Sequence, residues 1–180
     1  MPVELIITLV IILLALIIIF FILYNKLLKL NKIINDAWVE IDYQMKQRAK
    51  LIPPLVEFLR KNAKTEKDLT NIFLLSGKKI RDIRSISDTI IADKIFTEGF
   101  SRLIVVSEAN KNLKSNNSFQ ELVFSFLDIE EKIQIARRAY STYAEELNKK
   151  LETFPFNIVN HLAGHFEPRK MYNLKEKVRR

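Results

Sequence analysis

From Leu5 to Leu23 the chain holds 19 consecutive residues of which only Thr8 is polar. As an α-helix such a run is about 28 Å long at about 1.5 Å per residue, close to a bilayer hydrocarbon core of about 30 Å. A run of this kind folds only by leaving water. The competing reading is a cleaved signal peptide, which needs a positive amino-terminal region and a small-residue exit. The chain starts Met1-Pro2-Val3-Glu4 and leaves the run through Phe20-Phe21-Ile22-Leu23. Residues 1–24 are therefore read as an uncleaved transmembrane anchor. Glu4 precedes the span and Lys26, Lys29 and Lys32 follow it. The positive-inside bias then predicts an external amino terminus and a cytoplasmic carboxyl-terminal part. Tyr24 stands at the exit, where an amphipathic ring suits the headgroup layer. Ala15 is the one small apolar residue in the span, so a small-xxx-small helix seam is missing. The segment reads as a tether, with the lipid bilayer as its partner.

After the span, no Gly or Pro occurs before Pro53, so the helix can continue unbroken out of the bilayer. Leu27, Leu30, Ile34, Ala37, Ile41, Met45 and Arg48 recur at threes and fours, the period of an amphipathic or coiled-coil helix. Pro53-Pro54 predicts a break or kink near Leu51-Ile52. Thr65-Glu66-Lys67-Asp68 reads as a helix start, although one helix from Pro54 to Arg84 fits equally well. Ser85-Ile86-Ser87-Asp88 reads as a turn and a cap. A third helix follows from Ile90 to Ala109, with Gly99 inside it at modest cost. Residues 110–118 form a polar loop. A long helix from Phe119 to about Thr153 stops at Pro155, and a short element from Asn157 to Leu162 ends at Gly164. The expected fold is all-α: a single amino-terminal transmembrane helix, then an antiparallel up-and-down bundle of long helices. Residues 25–166 would be the bundle and 167–180 a flexible basic tail.

Two stretches resemble a known family. Tyr24-Asn25-Lys26-Leu27, Ala37-Trp38-Val39-Glu40-Ile41-Asp42 and Leu51-Ile52-Pro53-Pro54-Leu55-Val56-Glu57 resemble the opening of the LemA family. Glu108-Ala109, Leu113-Lys114-Ser115-Asn116, Phe119-Gln120-Glu121-Leu122, Glu130-Glu131-Lys132-Ile133, Ala136-Arg137-Arg138-Ala139-Tyr140 and Phe154-Pro155 continue the likeness in order. No single piece is specific, but the set spans about residues 5 to 166. The resemblance implies a bacterial single-pass inner-membrane protein with an extracytoplasmic amino terminus. It also implies a cytoplasmic bundle around a four-helix core, and it brings no established enzymatic activity. Some relatives sit beside membrane-organising or peptidase-like proteins, and one branch belongs to magnetosome membranes, which suggests scaffolding. Here Pro54-Leu55-Val56 replaces the NLV common in the family, and Ala163-Gly164-His165-Phe166 replaces its terminal FGF-like segment.

Composition narrows the chemistry. The chain has no Cys, two His and three Gly, which excludes thiolate metal sites and leaves little for a His centre or a Gly-rich phosphate loop. No cofactor is expected. His161 and His165 are four apart, the spacing of two ligands on one helical face, but Gly164 intervenes and an exposed helix end explains them better. Asp42, Arg48, Glu130 and Arg137 are charges beside apolar stripes. They read either as an interhelix polar layer that sets register or as edge residues whose heads reach water. Trp38, Phe126, Tyr140 and Tyr143 lie on helical stripes, so core packing explains them better than base stacking, and no nucleic-acid partner is expected despite a net charge of +8. The leading expectation is a non-catalytic, membrane-anchored scaffold or adaptor that recruits other membrane proteins or associates with itself. The alternatives are a non-catalytic subunit of a membrane enzyme complex and an anionic-lipid-binding module.

Overall fold

The computed structural model describes residues 2–62, 67–164 and 166–173. Among the described residues six helices follow in order: α1 (Pro2–Asn62), α2 (Lys67–Arg81), α3 (Ile86–Ala109), α4 (Lys111–Lys114), α5 (Asn117–Glu152) and α6 (Phe156–Ala163). No strand occurs among the described residues. Of the predicted break or kink at Pro53-Pro54, a break does not occur: both prolines lie inside a continuous α1. Without their N–H groups the carbonyls of Ala49 and Lys50 lose their intrahelical donors. Both ring faces are solvent-exposed, so water can reach this stretch of the helix. The expected start at Thr65-Glu66 lies outside the described residues. The polar loop contains a helical turn, α4, and Asn116 Oδ1 then accepts from the Phe119 amide to begin α5.

The chain divides into two compact units, residues 1–36 with 139–171 and residues 37–138 with 172–180. Both α1 and α5 contribute a segment to each unit.

In the first unit, α1 carries a stretch long and apolar enough to cross a membrane, and none of that stretch is buried by protein. Burial begins with Leu27, Leu30 and Ile34 on α1 and includes Tyr140, Ala144 and Leu147 on α5. The segment after α6 lies against α1 and α5 in this unit. Asn148 on α5 brackets the backbone of Arg169, donating to its carbonyl at 2.9 Å and accepting from its amide at 2.7 Å. The Arg169 guanidinium donates to Asn31 Oδ1 on α1 at 2.7 Å. Three small amide and guanidinium contacts thus strap an extended segment to two helices. The basic run Lys175–Arg180 lies outside the described residues.

The second unit is a four-helix arrangement of α1, α2, α3 and α5. Phe58 meets Phe119 at 5.3 Å while Arg48, ten residues earlier, meets Glu130, so α1 and α5 run antiparallel. Asp93 pairs with Arg137 while Phe100 packs on Phe126 at 5.7 Å, so α3 and α5 are antiparallel as well. The short turn between α2 and α3 completes an up-down-up-down order. Phe73, Phe96, Phe100 and Phe126 form a continuous aromatic core, with Phe96 and Phe126 at 5.3 Å. The cap at Ser85 forms as predicted: its hydroxyl accepts from the Asp88 amide and donates to the Asp88 carboxylate at 2.8 Å. That hydroxyl and the Arg84 amide hold the Asp88 carboxyl below its ordinary value.

Gly99 is a close approach of α3 to α2, since a Cβ there would stand 2.6 Å from Ile72 Cγ2. That methyl is fixed to a β-branched carbon and cannot swing away. The helix-propensity gain of Gly99→Ala, about 1 kcal/mol, is therefore outweighed by overpacking of about 1–3 kcal/mol. Thermal unfolding in detergent should show Gly99→Ala destabilised. A cycle with Ile72→Ala should show that the two substitutions are less than additive. Separately, Ser85→Ala should cost about 1 kcal/mol through loss of the cap.

Candidate functional site

Charged side chains enter the second unit because their backbone positions fall on buried stripes. Arg48 follows Ile41 and Met45 on α1, and Asp93 lies between Ile90 and Phe96 on α3. Glu130 and Arg137 are seven residues apart on α5 and share a face. Four of these helix residues and one tyrosine converge. Arg48 donates through one guanidinium nitrogen to Asp93 Oδ1 at 2.7 Å and through the other to Glu130 Oε2. Arg137 donates to Asp93 Oδ2 and to Glu130 Oε1, both at 2.7 Å. Two arginines and two carboxylates thus alternate in a closed ring of zero net charge. Tyr172, in the segment after α6, donates its hydroxyl to Asp93 Oδ2 at 2.8 Å.

The ring is deep. The side chains of Arg48 and Asp93 are 0% exposed. The Arg48 guanidinium lies 4.3 Å over the Phe96 ring, which offers it a cation–π face in place of water. Arg137 lies 5.7 Å over the Tyr172 ring. Taking each ion out of water costs several kcal/mol, and only complementary bonds on every side offset this. Chemically, the arrangement fixes α1, α3 and α5 against one another and clamps the segment carrying Tyr172. Its carboxylates both accept from guanidinium groups, and guanidinium does not deprotonate near neutral pH. Burial raises the Tyr172 hydroxyl well above its ordinary value, and the facing Asp93 carboxylate adds to the rise.

Three of the four residues read from sequence as a polar layer, Arg48, Glu130 and Arg137, meet here. Asp42 does not. It pairs with Lys46 at 2.6 Å on the same helix, with Lys46 largely in solvent. Six residues separate Asp42 from Arg48, which turns it about 120° away around the helix. Sequence reasoning missed Asp93 and Tyr172. Asp93 had a signal, a lone acid among Ile90, Ile91, Ala92 and Phe96. Tyr172 had none, since it sits in a stretch without periodicity.

The remaining named residues lie elsewhere. Tyr24 is half-buried and packs edge-on against Phe166 at 5.8 Å. Lys26, Lys29 and Lys32 are exposed, and Lys26 Nζ stands 6.0 Å from the Phe156 ring centre. Pro53 borders a cavity of about 370 Å³ between α1 and α2, with Ala49, Ile52, Glu57, Leu74 and Arg81 among its walls. His161 is exposed on α6, and His165 lies outside the described residues. Among the described residues, no group of three His, Cys, Asp or Glu is placed to hold a metal ion.

Removing one member of the ring leaves a buried charge without its partner. Arg48→Met should destabilise the protein by about 3–5 kcal/mol in denaturant unfolding, and an Arg48/Glu130 double-mutant cycle should show coupling above about 0.5 kcal/mol. Tyr172 also sets an alkaline limit. Its folded pKa is raised, so its contribution is intact below the ordinary tyrosine value of about 10. It is lost as pH rises from there towards the folded value. Unfolding midpoints measured on the alkaline side should fall more steeply in the parent chain than in Tyr172→Phe.

Comparison with known proteins gives one positive result. The sequence model of the LemA family matches residues 37–180, a region that includes Arg48, Asp93, Glu130, Arg137 and Tyr172. A search of curated proteins finds no match. With four-fifths of its length matched, helical throughout its described elements and carrying one apolar helix at its amino terminus, the chain belongs to the LemA family.

Proposed function

We propose that the protein is a non-catalytic scaffold or adaptor anchored in a bacterial cytoplasmic membrane by α1. Its amino terminus would be outside and its helical bundle in the cytoplasm. The observation that carries this reading is the closed ring. The interior charges of the second unit are spent on one another and on Tyr172, which binds helix to helix. The outward surfaces then remain for recognition. On α5, Phe124 is 67% and Ile135 61% exposed, and these are large apolar side chains suited to a partner helix or another copy of the chain. Anchoring is supported by the apolar span that protein leaves uncovered, and orientation by Lys26, Lys29 and Lys32 on one flank only.

In-membrane crosslinking at native expression levels, followed by mass spectrometry, should recover a reproducible neighbour or a homo-oligomer. Recovery of the monomer alone would count against the scaffold. For topology, protease added to intact spheroplasts should leave the carboxyl-terminal tail uncut and cut it after lysis. Cutting in intact spheroplasts would reverse the orientation.

A further inference from the structure

The short helix α6 is amphipathic in an unusual place. Val159 is buried beneath it, yet beside it Ile158 is 50% and Leu162 69% exposed, and Phe154 just before the helix is 78% exposed. Ile158 and Leu162 are four apart and share a helical face. The surroundings of α6 fix its level along α1. Phe156, its first residue, faces Lys26 at 6.0 Å, and Phe166, just beyond its end, packs on Tyr24 at 5.8 Å. Tyr24 and Lys26 differ by about 3 Å along the α1 axis. Contacts from both flanks of α6 therefore fall within one turn of α1, at Tyr24 and Lys26. That level is where the apolar run ends at Leu23. The mount is stiff. Gly164 closes the helix with a left-handed φ of 64°. Asn160 then donates to the Phe166 carbonyl and accepts from its amide, both at 3.2 Å.

We propose that α6 is a second membrane-contact element: an interfacial helix that seats Phe154, Ile158 and Leu162 in the boundary between headgroups and acyl chains. The occupant of this exposed face is lipid, because the residues flanking α6 pack on Tyr24 and Lys26, within one turn of the end of the uncovered apolar run of α1. The charges fit the same level. Lys26, Lys29 and Lys32 lie exposed on α1, cations suited to anionic headgroups, while Lys150 Nζ, paired with Glu146, sits 4.9 Å over the Phe156 ring. The seat is the same whichever side of the membrane holds it. The inference rests on α1 spanning the bilayer.

Because the chain has no native cysteine, single Cys substitutions can carry a spin label without further engineering. The full chain is reconstituted in nanodiscs of phosphatidylcholine with phosphatidylglycerol and labelled at Ile12→Cys, Ile158→Cys, Leu162→Cys or Val105→Cys. Ile12 reports the span, and Val105, 66% exposed on α3, reports water. The ratio of oxygen to nickel-chelate collision rates should be several-fold higher at Ile158 and Leu162 than at Val105, at a depth of about 5–10 Å. Water-like ratios at Ile158 and Leu162 with a lipid-like ratio at Ile12 would overturn the interfacial seat alone. A water-like ratio at Ile12 would overturn the spanning reading and the seat with it. Dipolar broadening between Leu162 labels would show a second copy on the face and would also overturn the proposal.

Discussion

Everything in the second unit has to accommodate two arginines and two carboxylates, of which Arg48 and Asp93 are wholly out of water and Arg137 and Glu130 largely so. Any one of them buried alone would be prohibitive, and any odd number would leave net charge in a medium of low polarisability. The ring meets that demand by alternation. Each guanidinium uses two nitrogens on two different acids, and each acid uses both oxygens on two different arginines. Hydrophobic packing alone tolerates small slips along a helix, because one Leu or Phe replaces another at little cost. A ring of fixed donors and acceptors does not. Sliding α3 by one helical turn would carry the Asp93 carboxylate about 5 Å from both guanidinium groups while Phe96 and Phe100 kept their apolar face towards the core.

The Phe96 ring beneath Arg48 shows how the polar and apolar parts of the core are joined. The same phenyl group packs on Phe73, Phe100 and Phe126 and gives the guanidinium its uncharged face. Tyr172 repeats the pattern with Arg137 above its ring and its hydroxyl on Asp93. In this way an extended segment after the last helix becomes part of the core. Arg169, three residues earlier, is secured in the first unit by a different set of partners, Asn31 and Asn148.

Much of this was readable in the sequence, for reasons that differ by residue. The span needs only length and apolarity. The stripes on α1 and α5 persist over many turns, so their period stands out against single exceptions. The cap at Ser85 depends on residues within one turn of each other. Propensity favours a break at the prolines, whereas packing on both sides of Pro53 keeps α1 continuous: Ile52, Leu55 and Val56 are all buried. Asp42 was misjudged because adjacency to an apolar stripe does not fix azimuth. Its nearest cation, Lys46, lay one turn away on its own helix.

By itself the sequence determined what is local or periodic: an apolar helix of bilayer length, basic residues on one flank, amphipathic helices and the turn that separates α2 from α3. Those properties depend on neighbours within a few residues and are written into the chain directly. Only the tertiary structure decided which charges share a ring, because Asp93 reaches Arg48 across 45 positions and Tyr172 reaches Asp93 across 79. It also decided that Phe156 and Phe166 meet Lys26 and Tyr24, just past the end of the apolar run. No periodicity encodes such meetings; they follow from the packing of several helices at once.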